Sequence, residues 1–274
     1  MIVLVTGASG GLGEVLCTTL SEQGHTVYGT MRKPDTEATY PCHMLAMEVT
    51  DETSVQSCVD QIVEWEGQLD AVINCVNLMM IGAVEEAAVT EVEALYQTNV
   101  FGVMRICQAV LPQMRRQGEG TIVNMSSLGG LLAVPLMSSY TSAKFALEAY
   151  SEALHLEVKA DGIDVVIMQP VAMYMDRPAT GHHLQLAQGV TADSPSHKMV
   201  AVMAKDTADS KLTPQLVAAK ICSVLAASNK PLRVPMDRAR VIGLLKRIVP
   251  TRVIHKLVLS LTQQDVQPTA EAQP

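Results

Sequence analysis

Three residues with acid–base or hydrogen-bonding chemistry lie near the middle of the sequence. Tyr140 and Lys144 are four residues apart, and Ser127 precedes Tyr140 by thirteen residues. Residues i and i+4 share one face of a helix, so a phenol would lie one turn from an ammonium group. A free tyrosine has a pKa near ~10, and a nearby positive charge lowers that pKa because it favours the phenolate. With a serine hydroxyl to hold a substrate oxygen, these residues could exchange a proton with a carbonyl or an alcohol, a reaction that also needs a hydride source.

The start of the chain is predicted to bind a dinucleotide that could supply the hydride. The apolar run from Ile2 to Thr6 is typical of a buried strand, and it leads into a glycine-rich segment at 7–13 and then helical spacing at 14–20. A strand, a glycine turn and a helix together place a pyrophosphate at the helix N-terminus. The glycine spacing is Gly-x-x-x-Gly-x-Gly rather than Gly-x-Gly-x-x-Gly, and a tight turn without a ligand is the alternative.

Four motifs in order resemble the short-chain dehydrogenase/reductase family over roughly residues 1–230. The resemblance implies that Tyr140 is the general acid or base, while Lys144 lowers its pKa and holds the nicotinamide ribose. It also implies that Ser127 binds the substrate oxygen and that Asn99 supports a water-linked proton relay. A second interpretation, in which Asn99 only bends a helix, stays open. The motifs are Thr6-Gly7-x-x-x-Gly11-x-Gly13, Thr98-Asn99-Val100-Phe101-Gly102, Ser127 and Tyr140-x-x-x-Lys144.

The same resemblance implies a set of cofactor contacts, with several departures from the family pattern. Glu48 replaces an aspartate that commonly contacts adenine, Val171 replaces a glycine, and Met175 replaces a threonine that bonds the nicotinamide carboxamide. The segment 74–77 reads Asn-Cys-Val-Asn instead of Asn-Asn-Ala-Gly. A displaced nicotinamide ring would slow the reaction steeply. The predicted cofactor-binding residues are Gly7, Ser9, Gly10, Gly11, Leu12, Gly13, Arg32, Lys33, Glu48, Val49, Asn74, Tyr140, Lys144, Pro170 and Val171.

The end of the second predicted strand favours NADP(H) over NAD(H). A carboxylate at this position would bind the ribose 2′-hydroxyl of NAD, but the chain has Thr30 there, followed by Arg32 and Lys33. A guanidinium can pair with a 2′-phosphate through two hydrogen bonds. Two alternatives remain: the two basic residues only face solvent, or Asp35 contacts the ribose.

Composition narrows the class of protein. The 274 residues carry a formal net charge of −8, which argues against nucleic acid as a general partner. Hydrophobic residues make up 48% of the chain, enough for a large core. The six cysteines lack Cys-x-x-Cys spacing, which predicts reduced thiols, no metal site and a cytoplasmic protein. No secretory signal is expected because Met1 begins the first strand, and no run of about 18 apolar residues predicts a membrane span.

Alternating strand and helix patterns predict a single-domain α/β fold, a Rossmann-type doubly wound parallel sheet of about seven strands, over residues 1–236. Strands are expected at 2–6, 25–30, 44–47, 70–74, 120–125, 163–168 and 232–234. Helices are expected at 54–65 and at 90–116, the latter behind a capping box at Thr90 and Glu93. Another helix should carry Tyr140 and Lys144 and end near 159. A further helix should begin at Thr213 and Pro214 and end near 227.

The substrate region is predicted to include an irregular stretch at 176–212, which would act as a lid. The expected substrate contacts are Ser127, Met173, Met175 and His182, although exposure to solvent is the favoured interpretation of His182 and His183. The apolar residues of this stretch favour an apolar carbonyl or secondary alcohol. The resemblance extends to family members that act on steroids, retinoids or polyketide-like ketones.

Residues 237–262 are predicted to form a basic, amphipathic helical extension, and residues 267–274 a disordered tail. Two interpretations of the extension are open: it packs over the substrate cleft or a neighbouring subunit, or it lies on a membrane surface. The resemblance implies a homodimer or homotetramer built on the helices around Asn99 and Tyr140. The two predicted apolar faces are Val241, Leu244, Leu245 and Ile248, and Ile254, Leu257, Val258 and Leu261.

Together these features predict an NADP(H)-dependent oxidoreductase that interconverts a ketone and a secondary alcohol, with reduction favoured. Two alternatives use the same fold: an NADP(H)-binding sensor or interaction protein, and a non-redox isomerase or dehydratase. The complete set of Asn99, Ser127, Tyr140 and Lys144 favours the enzyme, because a sensor has no chemical need for all four residues.

Overall fold

The computed structural model describes residues 1–35, 37–174 and 184–263. The strands in these ranges are β1 (Ile2–Thr6), β2 (Thr26–Met31), β3 (His43–Ala46), β4 (Ala71–Asn74), β5 (Met79–Ile81), β6 (Gly120–Met125), β7 (Ile163–Gln169), β8 (Leu184–Leu186) and β9 (Arg233–Pro235). Seven of them form one parallel sheet in the order β3-β2-β1-β4-β6-β7-β9, and β5 and β8 form a separate parallel pair. The predicted parallel sheet of about seven strands is confirmed.

Helices cover both faces of this sheet. They are α1 (Gly11–Glu22), α2 (Glu52–Glu66), α3 (Val89–Tyr96), α4 (Gly102–Gln117), α5 (Ser138–Val158), α6 (Pro195–Ala208), α7 (Pro214–Leu225), α8 (Ala239–Ile248) and α9 (Thr251–Gln263). Alternate residues of β1 point to opposite faces, so Val3 and Val5 pack with α1 and α7, whereas Leu4 packs with α2, α4 and α5. Burial on both faces explains the continuous apolar run of β1.

The strand order reverses between β1 and β4, which opens a crevice at the carboxyl ends of these two strands. The turn after β1 is held tightly against the turn after β4, because the Thr6 hydroxyl accepts a hydrogen bond from the Cys75 N–H at 3.1 Å. Ligands of doubly wound sheets bind at such a crevice, and the predicted site residues follow these strand ends.

The helix predicted at 90–116 differs from the structure in its beginning and its middle. The capping box at Thr90 and Glu93 is wrong: α3 begins at Val89, and the Glu91 carboxylate accepts the Ala88 N–H at 3.0 Å, which satisfies a donor that precedes the first turn. A π-helical turn at Gln97–Phe101 then separates α3 from α4. The predicted cap of α7 is confirmed, since the Thr213 hydroxyl accepts the Leu216 N–H at 3.3 Å.

The expectation of an irregular stretch at 176–212 is wrong for the part that the structure describes, whereas its role as a substrate lid stays a prediction. This stretch contains β8, which pairs with β5, and the fourteen residues of α6. Proline at the first position of α6 fits a helix start, and Met199, Val202 and Met203 follow at helical spacing. The predicted tail at 267–274 lies outside the described residues. No helix within the described ranges is long and apolar enough to cross a bilayer.

Candidate active site

A cavity of about 1100 Å³ lies at the carboxyl ends of the central strands. It is lined at one end by the glycine segment after β1 and at the other by Ser127, Tyr140 and Lys144. A typical pocket for one small ligand has a volume of roughly 300–1,000 Å³, so this cavity has room for a large cofactor beside part of a second molecule.

The glycine segment forms a close-packed turn that leaves the N-terminus of α1 open to the cavity. A Cβ on Gly13 would lie 2.2 Å from the Gly7 carbonyl oxygen, so only glycine permits this contact between helix and strand. Gly7 also has φ +71°, in the left-handed region. A Cβ on Gly10 would instead meet nothing within 4 Å, and Gly10 lines the cavity. The space beside the free N–H groups of α1 therefore fits a diphosphate, which these donors would bind.

Tyr140 is the buried acid–base candidate of this cavity, on the first turn of α5. Its side chain is 7% exposed and forms hydrogen bonds with the side chains of Ser127 and Asn77. Burial raises the pKa of Tyr140, and the hydrogen bonds from Ser127 and Asn77 act in the opposite direction. The pKa of Tyr140 is therefore raised overall, not lowered as expected, because the loss of hydration disfavours the phenolate more than these hydrogen bonds stabilise it. The contribution of Lys144 to this pKa stays a prediction.

Lys144 lies one turn further along α5, as its spacing predicts. Its ammonium is 5.7 Å from the centre of the Tyr140 ring and donates a hydrogen bond to the Met125 carbonyl oxygen at 2.8 Å. The residue is 2% exposed. Burial lowers the pKa of Lys144 to about 8, although the Cys75 and Glu148 side chains favour the charged form. The side chain is thus a fixed, buried cation close to neutral pH.

Asn99 is buried in the π-helical turn and does not lie among the described lining residues of the cavity. Its amide oxygen accepts the Leu78 N–H at 2.7 Å, and its amide nitrogen donates to the Leu78 carbonyl oxygen at 2.6 Å. Asn99 therefore fixes the segment after β4, and Leu78 itself lines the cavity. The proton-relay role of Asn99 stays a prediction.

The predicted cofactor residues divide into those that line the cavity and those that do not. Lys33 and Asn74 are absent from the described lining. The Asn74 amide instead donates to Asn124 at 2.8 Å in the sheet interior, because both side chains lie on neighbouring buried strands. The residues that line the cavity are Gly7, Ser9, Gly10, Gly11, Leu12, Gly13, Arg32, Glu48, Val49, Tyr140, Lys144, Pro170 and Val171.

Of the two predicted basic residues, Arg32 and Lys33, only Arg32 is among the described residues that line the cavity. Thr30, at the end of β2, is buried and carries no charge. The Asp35 carboxylate accepts the Glu37 N–H at 2.9 Å and is not part of the described lining. Glu48 does line the cavity, and its carboxylate accepts the Thr50 N–H at 3.0 Å, which fixes its position.

The other half of the cavity is apolar and includes residues that the sequence analysis did not assign. Met173 lines it as predicted, whereas Met175 and His182 lie outside the described residues. The inner side of α6 contributes Met199, Val202 and Met203. Their spacing of three and four residues was a signal for a buried helix face, but the surrounding Pro and Gly residues favoured a loop.

Asn77 is a further candidate for a functional residue beside Tyr140. The sequence identified it only as a departure from the family pattern Asn-Asn-Ala-Gly at 74–77. It stands where the family has glycine, and its side chain reaches the Tyr140 hydroxyl. It also lines the cavity beside Ser127. A glycine could not make this contact, so the departure places an additional polar group at the acid–base residue.

Comparisons with known proteins agree with this geometry. Residues 1–180 match the family described as short chain dehydrogenase. The chain is 38% identical over 234 residues to the 3-ketodihydrosphingosine reductase of Bacteroides thetaiotaomicron, which covers 85% of this chain and 86% of the relative. A short-chain dehydrogenase from Streptomyces avermitilis superposes with a TM-score of 0.79 at 30% identity, covering 96% and 95% of the two chains. A Burkholderia cenocepacia short chain dehydrogenase in complex with NADP superposes with a TM-score of 0.75 at 20% identity, covering 94% and 97%.

Proposed function

This chain belongs to the short-chain dehydrogenase family of oxidoreductases, and we propose that it is an NADP(H)-dependent reductase that converts a ketone on an apolar molecule into a secondary alcohol. One observation carries the proposal: Ser127, Tyr140 and Lys144 line the same cavity as the glycine segment and Arg32. A carbonyl reductase must bring a hydride source and a proton donor to one substrate, and this cavity has room for a large cofactor beside part of a substrate.

When bound, the reduced nicotinamide supplies the hydride to the carbonyl carbon. The Ser127 hydroxyl holds the carbonyl oxygen, and Tyr140 donates its phenolic proton to that oxygen as general acid. Because burial raises the pKa of Tyr140, the phenol keeps its proton at neutral pH. A protonated phenol is the form that reduction consumes, which supports reduction over alcohol oxidation.

Lys144 and Asn99 support this proton transfer. The buried ammonium of Lys144, close to the Tyr140 ring, would stabilise the phenolate that forms as the proton leaves. It would also hold the nicotinamide ribose of the bound cofactor. With a pKa of about 8, Lys144 is mostly charged at pH 7. Asn99 fixes the backbone of Leu78 beside the cavity. We propose that Asn99 also supports the proton relay.

Arg32 supports the choice of NADP(H). Arg32 lines the same cavity as the glycine segment, and its guanidinium could donate two hydrogen bonds to a 2′-phosphate. The competing contact from Asp35 is less favoured because Asp35 is not among the described residues that line the cavity. The neutral Thr30 would not repel a phosphate.

The substrate half of the cavity and one relative together suggest the substrate class. Met137, Met173, Met199 and Met203 line this half, and methionine adapts to flexible apolar ligands. The Bacteroides relative is named for a ketone on a long-chain base. A long-chain 3-keto compound is therefore the first candidate, ahead of the steroid, retinoid and polyketide-like ketones that the family resemblance implies.

The experiment is a panel of ketones with the purified protein and either NADPH or NADH. We expect loss of NADPH absorbance with 3-ketodihydrosphingosine, and a kcat lowered about 10²- to 10⁴-fold by Tyr140→Phe with NADPH affinity within about threefold of the wild type. An active Tyr140→Phe protein would overturn the mechanism. NADPH binding without oxidation by any ketone would favour the sensor, and product formation without NADPH consumption would favour isomerase or dehydratase chemistry.

A further inference from the structure

The outward face of α8 exposes a row of large apolar side chains. Val241, Leu244 and Ile248 are 59%, 60% and 71% exposed, and Leu245 is also exposed. These residues follow helical spacing, so they form one stripe along the helix. The predicted packing of this face over the substrate cleft is wrong in the described chain, because the opposite face of α8 makes the contacts with the protein.

The inner face of α8 is attached beside the active site. Ala239 is fully buried, and Gly243 lies against Leu131, in the turn that follows Ser127. The Lys246 ammonium donates to the Leu131 carbonyl oxygen at 2.6 Å. Arg238, which directly precedes α8, lines the cavity and pairs with Asp206. The exposed stripe therefore begins within one turn of the cavity wall.

The next helix repeats this arrangement. In α9, Val258 is buried, whereas Val253 and Leu257, four residues apart, are 50% and 54% exposed. We call the exposed side chains of the two helices the C-terminal apolar surface. A concentration of exposed apolar residues of this kind marks an interaction site rather than ordinary surface. It is defined by Val241, Leu244, Leu245, Ile248, Val253 and Leu257.

Charge identifies the kind of partner. Residues 238–264 contain six Lys and Arg residues and no Asp or Glu, although the whole chain has a net charge of −8. A second copy of the chain would bring the same basic segment to this surface, and like charges would oppose the contact. Apolar residues flanked by basic residues on a helix are the pattern that binds the interface of an anionic bilayer.

We propose that the C-terminal apolar surface docks on an anionic lipid bilayer, with the apolar side chains in the interface and the exposed basic side chains of Arg252 and Lys256 at the headgroups. Docking would place Arg238, which lies in the cavity wall, next to the bilayer. An apolar substrate could then pass from the lipid phase to Tyr140 without crossing water. The docking itself is independent of the proposed reaction, because it requires neither cofactor nor substrate.

The test is co-sedimentation of the full chain with vesicles, without NADPH or ketone. We expect binding to vesicles of phosphatidylglycerol and phosphatidylcholine, weak binding to phosphatidylcholine alone, and release by high salt. Leu244→Asp combined with Ile248→Asp should abolish binding. Leu216→Asp, which places the same charge at a 53% exposed leucine of α7, should leave binding unchanged.

A second variant keeps the apolar residues and changes only charge. Arg252→Gln combined with Lys256→Gln should weaken binding to the anionic vesicles about 30-fold, from the typical contribution of a basic residue near an anionic surface. The molar mass in solution is measured for each variant. Wild-type protein that does not sediment with anionic vesicles would overturn the proposal. So would a Leu244/Ile248 double variant that sediments like the wild type, or one whose only change is a smaller oligomer, since that would assign the surface to a second copy of the chain.

Discussion

Lys144 should destabilise the folded protein at neutral pH, so that Lys144→Met gives a more stable but inactive enzyme. The side chain is 2% exposed, and burial lowers its pKa from an ordinary value of 10.5 to about 8. At about 1.36 kcal/mol for each tenfold change in a proton equilibrium, this lowering corresponds to roughly 3 kcal/mol of unfavourable burial at pH 7. Loss of the hydrogen bond to the Met125 carbonyl would offset about 1 kcal/mol of the gain. We therefore expect Lys144→Met to raise the free energy of unfolding by about 2 kcal/mol at pH 7.

The dependence on pH has a definite sign. Because the pKa of Lys144 is lower in the folded protein than in the unfolded chain, the penalty is complete well below pH 8. Between about pH 8 and 10.5 the folded protein releases a proton that the unfolded chain still holds. The free energy of unfolding of the wild type therefore rises relative to that of Lys144→Met as pH rises. The advantage of Lys144→Met should shrink by about 2 kcal/mol between pH 7 and pH 9.5.

Urea unfolding of the wild type and Lys144→Met at both pH values measures this difference directly. Groups that titrate equally in the two proteins cancel in the comparison. The exposed Lys198→Met on α6 is the matched control, and its difference from the wild type should not change with pH. A Lys144→Met protein that is clearly less stable than the wild type at pH 7, or a difference that stays constant to pH 9.5, would refute the reasoning.

Three further predictions concern the cofactor and the acid–base pair. Arg32→Ala should raise the KM for NADPH about 10- to 100-fold and leave the KM for NADH nearly unchanged. Lys33→Ala should have little effect on either KM, because only Arg32 is among the described residues that line the cavity. Equal increases in both KM values would contradict this prediction. The kcat/KM for reduction reports the ionisation of groups in the free enzyme, where the pKa of Lys144 is about 8. It should therefore fall as pH rises through about 8 and Lys144 loses its charge. A pH–rate profile that stays flat to pH 9.5 would rule this out. Asn77→Ala should raise the pKa of Tyr140 further, because the Asn77 hydrogen bond lowers that pKa, and alcohol oxidation, which needs the phenolate, should then require higher pH; an unshifted profile beside unchanged folding would show that Asn77 does not act on Tyr140.

The helix and strand assignments show where local pattern was sufficient. The sheet was predictable because its strands are continuous apolar runs buried on both faces, as in β1. The irregular stretch predicted at 176–212 was wrong in its described part because the apolar stripe of α6 lies among proline and glycine residues, which favoured a loop. The break at Gln97–Phe101 was likewise invisible in the periodicity, although Asn99 within it was singled out.

The sequence by itself determined the residues whose chemistry depends on local geometry. Tyr140 and Lys144 lie on one helix, and the glycines of one turn follow one strand, so spacing alone places these groups relative to each other. Tertiary structure decided everything that depends on burial and on distant segments. It reversed the expected direction of the Tyr140 pKa, brought Asn77 to that hydroxyl, and turned the apolar face of α8 outward. Desolvation and long-range contacts arise only when separate elements pack together, and no local pattern in the chain records them.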